Sequence, residues 1–312
     1  MAGDKSFHSF DELVQLLESR GVFIDDSTKT VLKRESYYAV VNGYKGPFLD
    51  STATTAAGED RYLNGTHFSE IHLLFLLDRQ IRMALLPALL IAEMTLKTLT
   101  VHTFCSRHPE RGSYLDPANY RTDPSAARAV GRLIGALEKS LEAQGERHPK
   151  AFIEHYRTRH QHVPLWVLAN FLTFGAMSKF YAALTEATQA AVCRELSGYT
   201  CEIGAGTGYR IEPRQLRLMF RYLSDLRNLC AHEERLYCTG FGKSKDIRLR
   251  QLLGYLEILL TPTEYSALCE EILDALRVAA GGFRTISIDA IVVCMGFQGL
   301  EDAERYLSRR QN

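Results

Sequence analysis

The residues best suited to chemistry lie in one stretch, FRYLSDLRNLCAHEERLY, residues Phe220–Tyr237. It places Arg227, Asn228 and His232 in the spacing R-N-x-x-x-H. Histidine exchanges a proton near neutral pH, and arginine presents a planar fork that pairs with phosphate oxygens. These are the groups needed to cleave RNA without a metal, when the 2′-hydroxyl attacks the adjacent phosphorus and forms a 2′,3′-cyclic phosphate. The stretch therefore predicts a site that holds a phosphate and moves a proton.

The pattern of apolar residues predicts one long helix over Glu212–Tyr237. On that helix Asn228 and His232 share a face at i and i+4, and Asn228 can hydrogen-bond the imidazole. Arg227 precedes His232 by five residues and so lies roughly 140° away from it around the helix axis. A long side chain, a local distortion or a partner helix can close this gap. A two-fold dimer in which each helix contributes one Arg and one His meets the requirement directly.

Basic residues on the same helix and just after it are candidate RNA contacts. They are Arg214, Arg217, Arg221, Arg235, Lys243 and Lys245. The first three recur at i, i+3 and i+7, and a solvated helix face explains them about as well as an RNA track. Lys+Arg and Asp+Glu are equal at 37 each, so an RNA-binding surface must be a local patch.

Glu93 is the candidate supporting residue, because a carboxylate in the apolar segment IAEMTLKTLT needs a partner. The sequence leaves its partner open. Glu93 can hold Arg227 or His232 in place, or it can pair with Lys97 at i+4.

Neither a metal nor a cofactor is predicted. His148, His155, His160 and His162 lack metal-ligand spacing, and position 236 is leucine, so H-E-x-x-H fails. The seven cysteines form no C-x-x-C, which fits a reducing cytoplasm. The N-terminus has no apolar signal segment. Charged residues interrupt the most apolar region, Ile71–Thr100, so no membrane span is expected.

The remaining pattern is mostly helical, without the strand–helix alternation of a doubly wound sheet. The other predicted helices are Phe10–Arg20, Ser27–Leu32, Ser69–Phe104 with a kink at Pro87, Ser125–Gln144, Pro149–Arg159, Pro164–Leu184 starting with Pro at its first helical position, Arg248–Leu260, Pro262–Ala280 and a short one ending at Ser308. Four segments are predicted to be non-helical: a compact turn or short hairpin at Glu35–Asp50, a loop at Ser51–Gly58, a loop at Pro109–Pro124, and a glycine-rich connector at Gly198–Gly208.

RNLCAHEERLY, residues Arg227–Tyr237, resembles the signature of the abortive-infection AbiD/AbiF-like proteins of the HEPN superfamily. Four further blocks resemble that family in the same order along the chain: Arg20–Phe48, Leu73–Thr100, Val163–Tyr181 and Met295–Leu300.

The resemblance implies an all-α HEPN-type helical bundle, with an N-terminal extension (1–64), a helical core (65–240) and a C-terminal helical extension (241–312). It implies a homodimeric, metal-independent endoribonuclease toxin of bacterial anti-phage defence. Arg227 and His232 would be catalytic, with Asn228 as part of the site. Because some relatives are encoded beside a structured noncoding RNA, a regulatory RNA partner is also implied.

The chain departs from the family pattern just after His232. Glu233 stands where a second His is common, Tyr237 replaces Trp and Cys238 replaces Asn. Two other functions therefore stay open: a non-catalytic RNA-binding or regulatory module on the same scaffold, and a helical partner of another defence protein.

Overall fold

The computed structural model describes residues 7–146, 156, 159–160, 162–206 and 209–309. Within these residues the regular structure is helical, and β-structure is limited to isolated bridges such as Phe23 with His67 and Leu49 with Tyr62. The predicted all-α class is confirmed.

The described part of the chain contains thirteen α-helices. They are α1 (Phe10–Ser19), α2 (Thr28–Glu35), α3 (Ser51–Ala57), α4 (Phe68–Arg107), α5 (Pro124–Glu146), α6 (Leu165–Leu168), α7 (Phe174–Ala183), α8 (Glu186–Glu202), α9 (Pro213–Ala231), α10 (Leu249–Leu259), α11 (Pro262–Ala280), α12 (Ile288–Cys294) and α13 (Leu300–Leu307).

The chain divides into two compact units. The first unit contains Met1–Leu85, Leu229–Gln251 and Ser266–Asn312, and the second contains Leu86–Asn228 and Leu252–Tyr265. The division into an extension, a core and a second extension stays a prediction.

In the first unit, Glu70 ties the start of α4 to the segment before α12. Its buried carboxylate accepts hydrogen bonds from the backbone N–H groups of Arg284 and Thr285, at 2.7 and 2.8 Å, and from the Thr285 hydroxyl at 2.7 Å. Hydrogen bonds to a carboxylate are among the stronger ones in proteins. Glu70 therefore links parts of the chain that are more than 200 residues apart.

In the second unit, aromatic packing positions α9. The ring of Phe220, on α9, stacks on Tyr181 of α7 with centroids 5.1 Å apart, and it meets Phe174 edge-on. Gly175 allows α7 to approach closely, because a Cβ there would lie 3.4 Å from the Ser224 hydroxyl oxygen. This packing fixes the helix that carries Arg227 and Asn228.

The predicted loop at Ser51–Gly58 is wrong, because it forms α3. Asp50 caps this helix by accepting from the N–H groups of Thr52 and Ala53, and Gly58 ends it in the left-handed region at φ 70°. These are ordinary start and stop signals, which outweigh the small polar composition that suggested a loop.

The hairpin alternative for Glu35–Asp50 is also wrong. Tyr38–Asn42 forms a π-helical turn and Gly46–Phe48 a 3₁₀ turn, so the segment is compact and helical. The buried side chains of Val40, Val41 and Phe48 hold it to the core.

The predicted continuous helix Pro164–Leu184 is broken, because α6 gives way to a 3₁₀ turn at Ala169–Phe171 and α7 begins after the capping Thr173. Pro164 precedes α6 instead of occupying its first turn.

The predicted connector also starts too early, since α8 continues through Gly198 to Glu202. Its buried residues, such as Val192 and Leu196, outweigh the local cost of a helical glycine.

Two further predictions concern α4 and the segment that follows α5. The helix α4 runs through Pro87 without ending. Most of the predicted helix Pro149–Arg159 lies outside the described residues. In the described part, α4 is the one helix long and apolar enough to cross a membrane, and half of its most apolar window is buried.

Glu70 should make the first unit sensitive to acid. Burial opposes ionisation, but the hydrogen bonds from Thr285 and Arg284 outweigh it and hold the pKa of Glu70 below its ordinary value of 4.5. Its contribution is therefore complete above that value and is lost as pH falls through the lowered pKa. Glu70→Gln should cost about 1.5–3 kcal/mol of unfolding free energy at pH 7 and flatten the acid dependence.

Chemical denaturation at several pH values measures both effects, with the exposed Glu301→Gln as control. Equal acid dependence in Glu70→Gln and wild type would show that Glu70 does not carry it.

Candidate functional site

The helix α9 buries one side and presents polar groups on the other. Leu216, Phe220 and Leu223 are fully buried, whereas Arg214 and Arg221 are exposed. In its last turn Arg227 is half-buried and Asn228 is exposed. The amphipathic pattern thus places both predicted site residues at the solvent boundary.

The predicted continuation of this helix to Tyr237 is wrong, because α9 ends at Ala231. Glu233 adopts the left-handed region at φ 54°, and the Glu234 N–H donates to the Leu229 carbonyl at 3.1 Å. This bond and the left-handed residue before Glu234 form a Schellman helix end. His232 therefore lies in an exposed turn directly after the helix, and a face shared with Asn228 stays a prediction.

Asp78, on α4, anchors the chain just after His232. Its fully buried carboxylate accepts from the N–H groups of Leu236 and Tyr237, at 2.9 and 2.7 Å. It also accepts from the hydroxyl of Tyr44 at 2.7 Å and from Nη1 of Arg82 at 3.0 Å. Burial raises the pKa of Asp78, against the effect of these four donors.

Arg82 adds a second connection to the same segment. Its Nη1 donates to the Glu234 carbonyl at 2.8 Å and to the Tyr44 hydroxyl at 3.1 Å. Burial and the Asp78 carboxylate raise the pKa of Tyr44, so its phenol stays protonated. We call Tyr44, Asp78 and Arg82 the buried polar cluster. It fixes residues 234–237 to α4 and so defines the turn that carries His232.

The sequence by itself assigns no role to the buried polar cluster. A signal was present, since Asp78 and Arg82 stand at i and i+4 inside an apolar helix, where charges need partners. That signal does not reveal which segment they hold.

Glu93 pairs with two cations in the second unit. Its buried carboxylate lies 3.0 Å from Lys97 Nζ and 3.5 Å from Arg227 Nε. The contact with Arg227 is an ion pair without a hydrogen bond. Among the described residues the guanidinium of Arg227 makes no hydrogen bond, and the side chain is 35% exposed, so its terminal N–H donors are available to an anion.

The predicted RNA contacts divide between the two compact units. Arg214, Arg217 and Arg221 lie with Arg227, and Arg235, Lys243 and Lys245 lie with His232. All six are exposed except the half-buried Arg217.

Arg235 also has a structural contact, because its Nη1 donates to the Gly43 carbonyl at 3.0 Å. Two further basic residues of the same sequence region, Arg248 and Arg250, serve the fold. They contact the Cys238 carbonyl at 2.7 Å and the Asp302 carboxylate at 3.2 Å.

Glu233, the main departure from the expected pattern, has an ion-pair partner. Its carboxylate lies 3.5 Å from Nε of Arg79, whose guanidinium also holds Glu35 at 2.7 and 3.1 Å. The Arg79 side chain is the largest cause that lowers the pKa of Glu35. The negative charge of Glu233 is thus partly balanced within the first unit.

The cysteines show no sign of nucleophilic activation. Burial raises the pKa of Cys230, two residues before His232, to about 12. A thiol with this pKa stays protonated near neutral pH. Among the described residues, none of the seven cysteines forms a disulfide. His148 and His155, from the histidine-rich segment, lie outside the described residues.

The described part of the protein is therefore helical. His232 is exposed in an anchored turn, and Arg227, five residues earlier in the sequence, has a guanidinium without a hydrogen-bond partner. The chain belongs to the Abi-like protein family, whose model matches residues 30–238, about two thirds of its length. The matched range contains Arg227, Asn228, His232 and the buried polar cluster. Searches of curated proteins and of solved structures found no match. Membership makes this an abortive-infection family protein.

Removing the Asp78 carboxylate should release the turn. Asp78→Asn leaves Arg82 buried without its counter-charge and should cost about 3–5 kcal/mol of unfolding free energy. Amide hydrogen exchange at Leu236 and Tyr237 should accelerate with it, because both N–H groups lose their acceptor. The exposed Asp26→Asn is the control. Unchanged protection at both amides would contradict the anchoring role.

The left-handed backbone at position 233 gives a separate prediction. Glu233→Gly and Glu233→Ala both lose the ion pair with Arg79, but only glycine relieves the backbone cost. The glycine variant should therefore be more stable than the alanine variant by about 1 kcal/mol. Thermal or urea unfolding measures the difference. Equal stability would mean that residue 233 does not end the helix in this way.

Proposed function

We propose that this protein is a metal-independent endoribonuclease toxin of a bacterial anti-phage abortive-infection system, with a HEPN-type helical core. The observation that carries the proposal is that the family-matched range contains both Arg227, whose guanidinium makes no hydrogen bond, and an exposed His232 on an anchored turn. The cytoplasm, where RNA is available and thiols stay reduced, is the proposed location.

Arg227 supplies the positive charge of the proposed site. The C-terminal end of a helix carries the negative end of the helix dipole, so the backbone there does not attract a phosphate. A phosphate at the end of α9 must be held by side chains. Arg227, oriented by Glu93, can donate two parallel hydrogen bonds to phosphate oxygens and stabilise the charge that develops on them.

His232 moves the proton. As a neutral imidazole it accepts the proton of the RNA 2′-hydroxyl while the 2′-oxygen attacks the adjacent phosphorus. The bond from phosphorus to the 5′-oxygen breaks, and that oxygen takes a proton to become a hydroxyl. The products are a 2′,3′-cyclic phosphate and a 5′-hydroxyl end. Asn228, exposed one turn before His232 in sequence, contacts the RNA or the imidazole.

A homodimer completes the proposed chemistry. Each chain offers one R-x-x-x-x-H pair, and the reaction needs both a proton acceptor and a proton donor. In a two-fold dimer, one His232 accepts the 2′-hydroxyl proton and the other, as imidazolium, protonates the leaving oxygen.

The exposed cations assist binding rather than chemistry. Arg214, Arg217 and Arg221 on α9, with Arg235, Lys243 and Lys245 after it, contact RNA phosphates. A structured noncoding RNA that occupies the same cations is the proposed regulatory partner.

Cleavage of RNA by the purified chain, together with growth arrest on expression, tests this function. Arg227→Ala and His232→Ala should each lower the cleavage rate by about 10²-fold or more, as expected for loss of charge stabilisation or of a general base. Activity should persist in EDTA, and a 2′-deoxy substitution at the cleaved position should abolish it. His102→Ala and Arg128→Ala, both exposed and distant in sequence, are the matched controls.

The proposal fails if both site variants cut as fast as wild type, or if EDTA stops cleavage. Folding is checked by circular dichroism and unfolding temperature, so that an inactive but unfolded variant is not counted as support.

A non-catalytic RNA-binding module is the second candidate. Glu233 favours it, because its carboxylate adds negative charge beside a proposed phosphate site. RNA binding that survives in His232→Ala, with no cleavage by wild type at any protein concentration, would select this candidate.

A further inference from the structure

A large groove lies in the N-terminal region of the first unit. It encloses about 970 Å³ along α1, α2 and the π-helical turn after α2. This volume is at the upper end of the range for small-molecule pockets, so the groove can hold more than a single base.

Exposed aromatic rings line the groove. Tyr38 is 78% exposed and Phe10 is 40% exposed, and the half-buried Tyr37 lies beside Tyr38 in sequence. Large exposed rings in a concave surface indicate a binding site more often than isolated surface residues do. Each ring has a face on which an unpaired base can stack.

The cations of the groove fall into two groups. Arg20 and Lys45 both pair with Asp60, which is the carboxylate that lines the groove. Lys33 has no ion-pair partner among the described residues, and its ammonium lies 6.0 Å from the centre of the Phe10 ring. The groove therefore offers an uncompensated ammonium next to an aromatic ring.

Arg34 adds a second exposed cation. Its side chain is 81% exposed and contacts Glu35 at 3.2 Å, a carboxylate that Arg79 already holds with two hydrogen bonds. Arg34 is therefore able to turn toward a bound anion at little cost. The lining carries more positive than negative charge, although the whole chain has a net charge of zero.

The groove adjoins the segment that follows the candidate catalytic histidine. Asn42 lines the groove, and the carbonyl of the next residue, Gly43, accepts a hydrogen bond from Arg235. A Cβ at Gly43 would lie 3.7 Å from Cδ of Arg235, so the two residues are in close contact. Arg235 is three residues after His232, and all four residues belong to the first unit.

We propose that this groove binds single-stranded RNA, by stacking unpaired bases on Tyr38 and Phe10 and pairing phosphates with Lys33 and Arg34, and that Arg235 continues the phosphate track toward His232. Aromatic rings interleaved with cations are what sequence-tolerant single-strand binding requires. A duplex cannot use the rings, because its bases already stack on one another. The inference deepens the proposed ribonuclease function and rests on it for the role of the bound strand.

Binding is tested on the full-length chain carrying His232→Ala, with a fluorescent 12-nucleotide single-stranded RNA and the same sequence as a duplex. Tyr38→Leu should weaken single-strand binding about tenfold, because it keeps apolar area but removes the stacking face, and Tyr38→Phe should restore it. The duplex should bind more weakly than the single strand. The control Phe23→Ala removes a ring that is 53% exposed but does not line the groove, and it should leave the affinity unchanged.

The salt dependence of affinity tests the cations. Lys33→Ala should reduce the slope of log affinity against log salt by about 0.7, the value for one phosphate contact with a single strand. Lys29→Ala is the matched control. Lys29 lies on the same helix one turn earlier, pairs with Asp11 and does not line the groove. A merely structural role for Lys33 would not change the slope.

Three outcomes overturn the proposal. Tyr38→Leu and wild type bind the single-stranded RNA equally; the duplex binds as tightly as the single strand; or an acidic peptide displaces the bound RNA while unlabelled single-stranded RNA does not. The proposed cleavage is judged separately. If wild type cleaves RNA and the groove variants have no effect, the groove proposal is rejected and the ribonuclease proposal stands. If RNA binding depends on the groove residues but wild type does not cleave RNA, the groove proposal is supported and the ribonuclease proposal is rejected.

Discussion

The buried carboxylate of Asp78 is the interaction on which the candidate site most depends. It accepts four hydrogen bonds, two of them from the backbone of Leu236 and Tyr237. A buried charge is tolerated only when its partners are in place, so the carboxylate, Arg82 and Tyr44 require the segment after His232 to take one path. The exposed turn that carries His232 is therefore fixed at both ends, by the Schellman end of α9 and by the Asp78 contacts that follow it.

Arg227 shows a different way of preparing a side chain for a ligand. Glu93 balances its charge at 3.5 Å but makes no hydrogen bond with it. Since Lys97 shares the same carboxylate, Glu93 is less available to bind Arg227 tightly. The guanidinium is thus oriented while its N–H donors stay free for an anion, which is the balance that a phosphate-binding group needs.

The N-terminal region adds a second candidate surface for the proposed RNA binding. Its net charge is zero, so recognition depends on where uncompensated charges lie. Arg20 and Lys45 pair with Asp60, whereas Lys33 lies beside the Phe10 ring with no ion-pair partner among the described residues. Arg34 contacts Glu35, a carboxylate that Arg79 already holds. The proposed groove and the candidate catalytic histidine belong to one compact unit, connected through Arg235 and Gly43.

The sequence alone determined the helical class and most long helices, and it proposed Arg227, Asn228 and His232 as site residues, because period and residue type are local properties. It misplaced the end of α9 by six residues and missed α3 and α8, since caps and burial decide helix ends. Only the tertiary structure showed that Asp78 and Arg82 hold the turn after His232, and that Glu93 serves both Lys97 and Arg227. A charged residue in an apolar helix indicates that it needs a partner, but the partner lies far away in sequence, so only the fold determines which group it is.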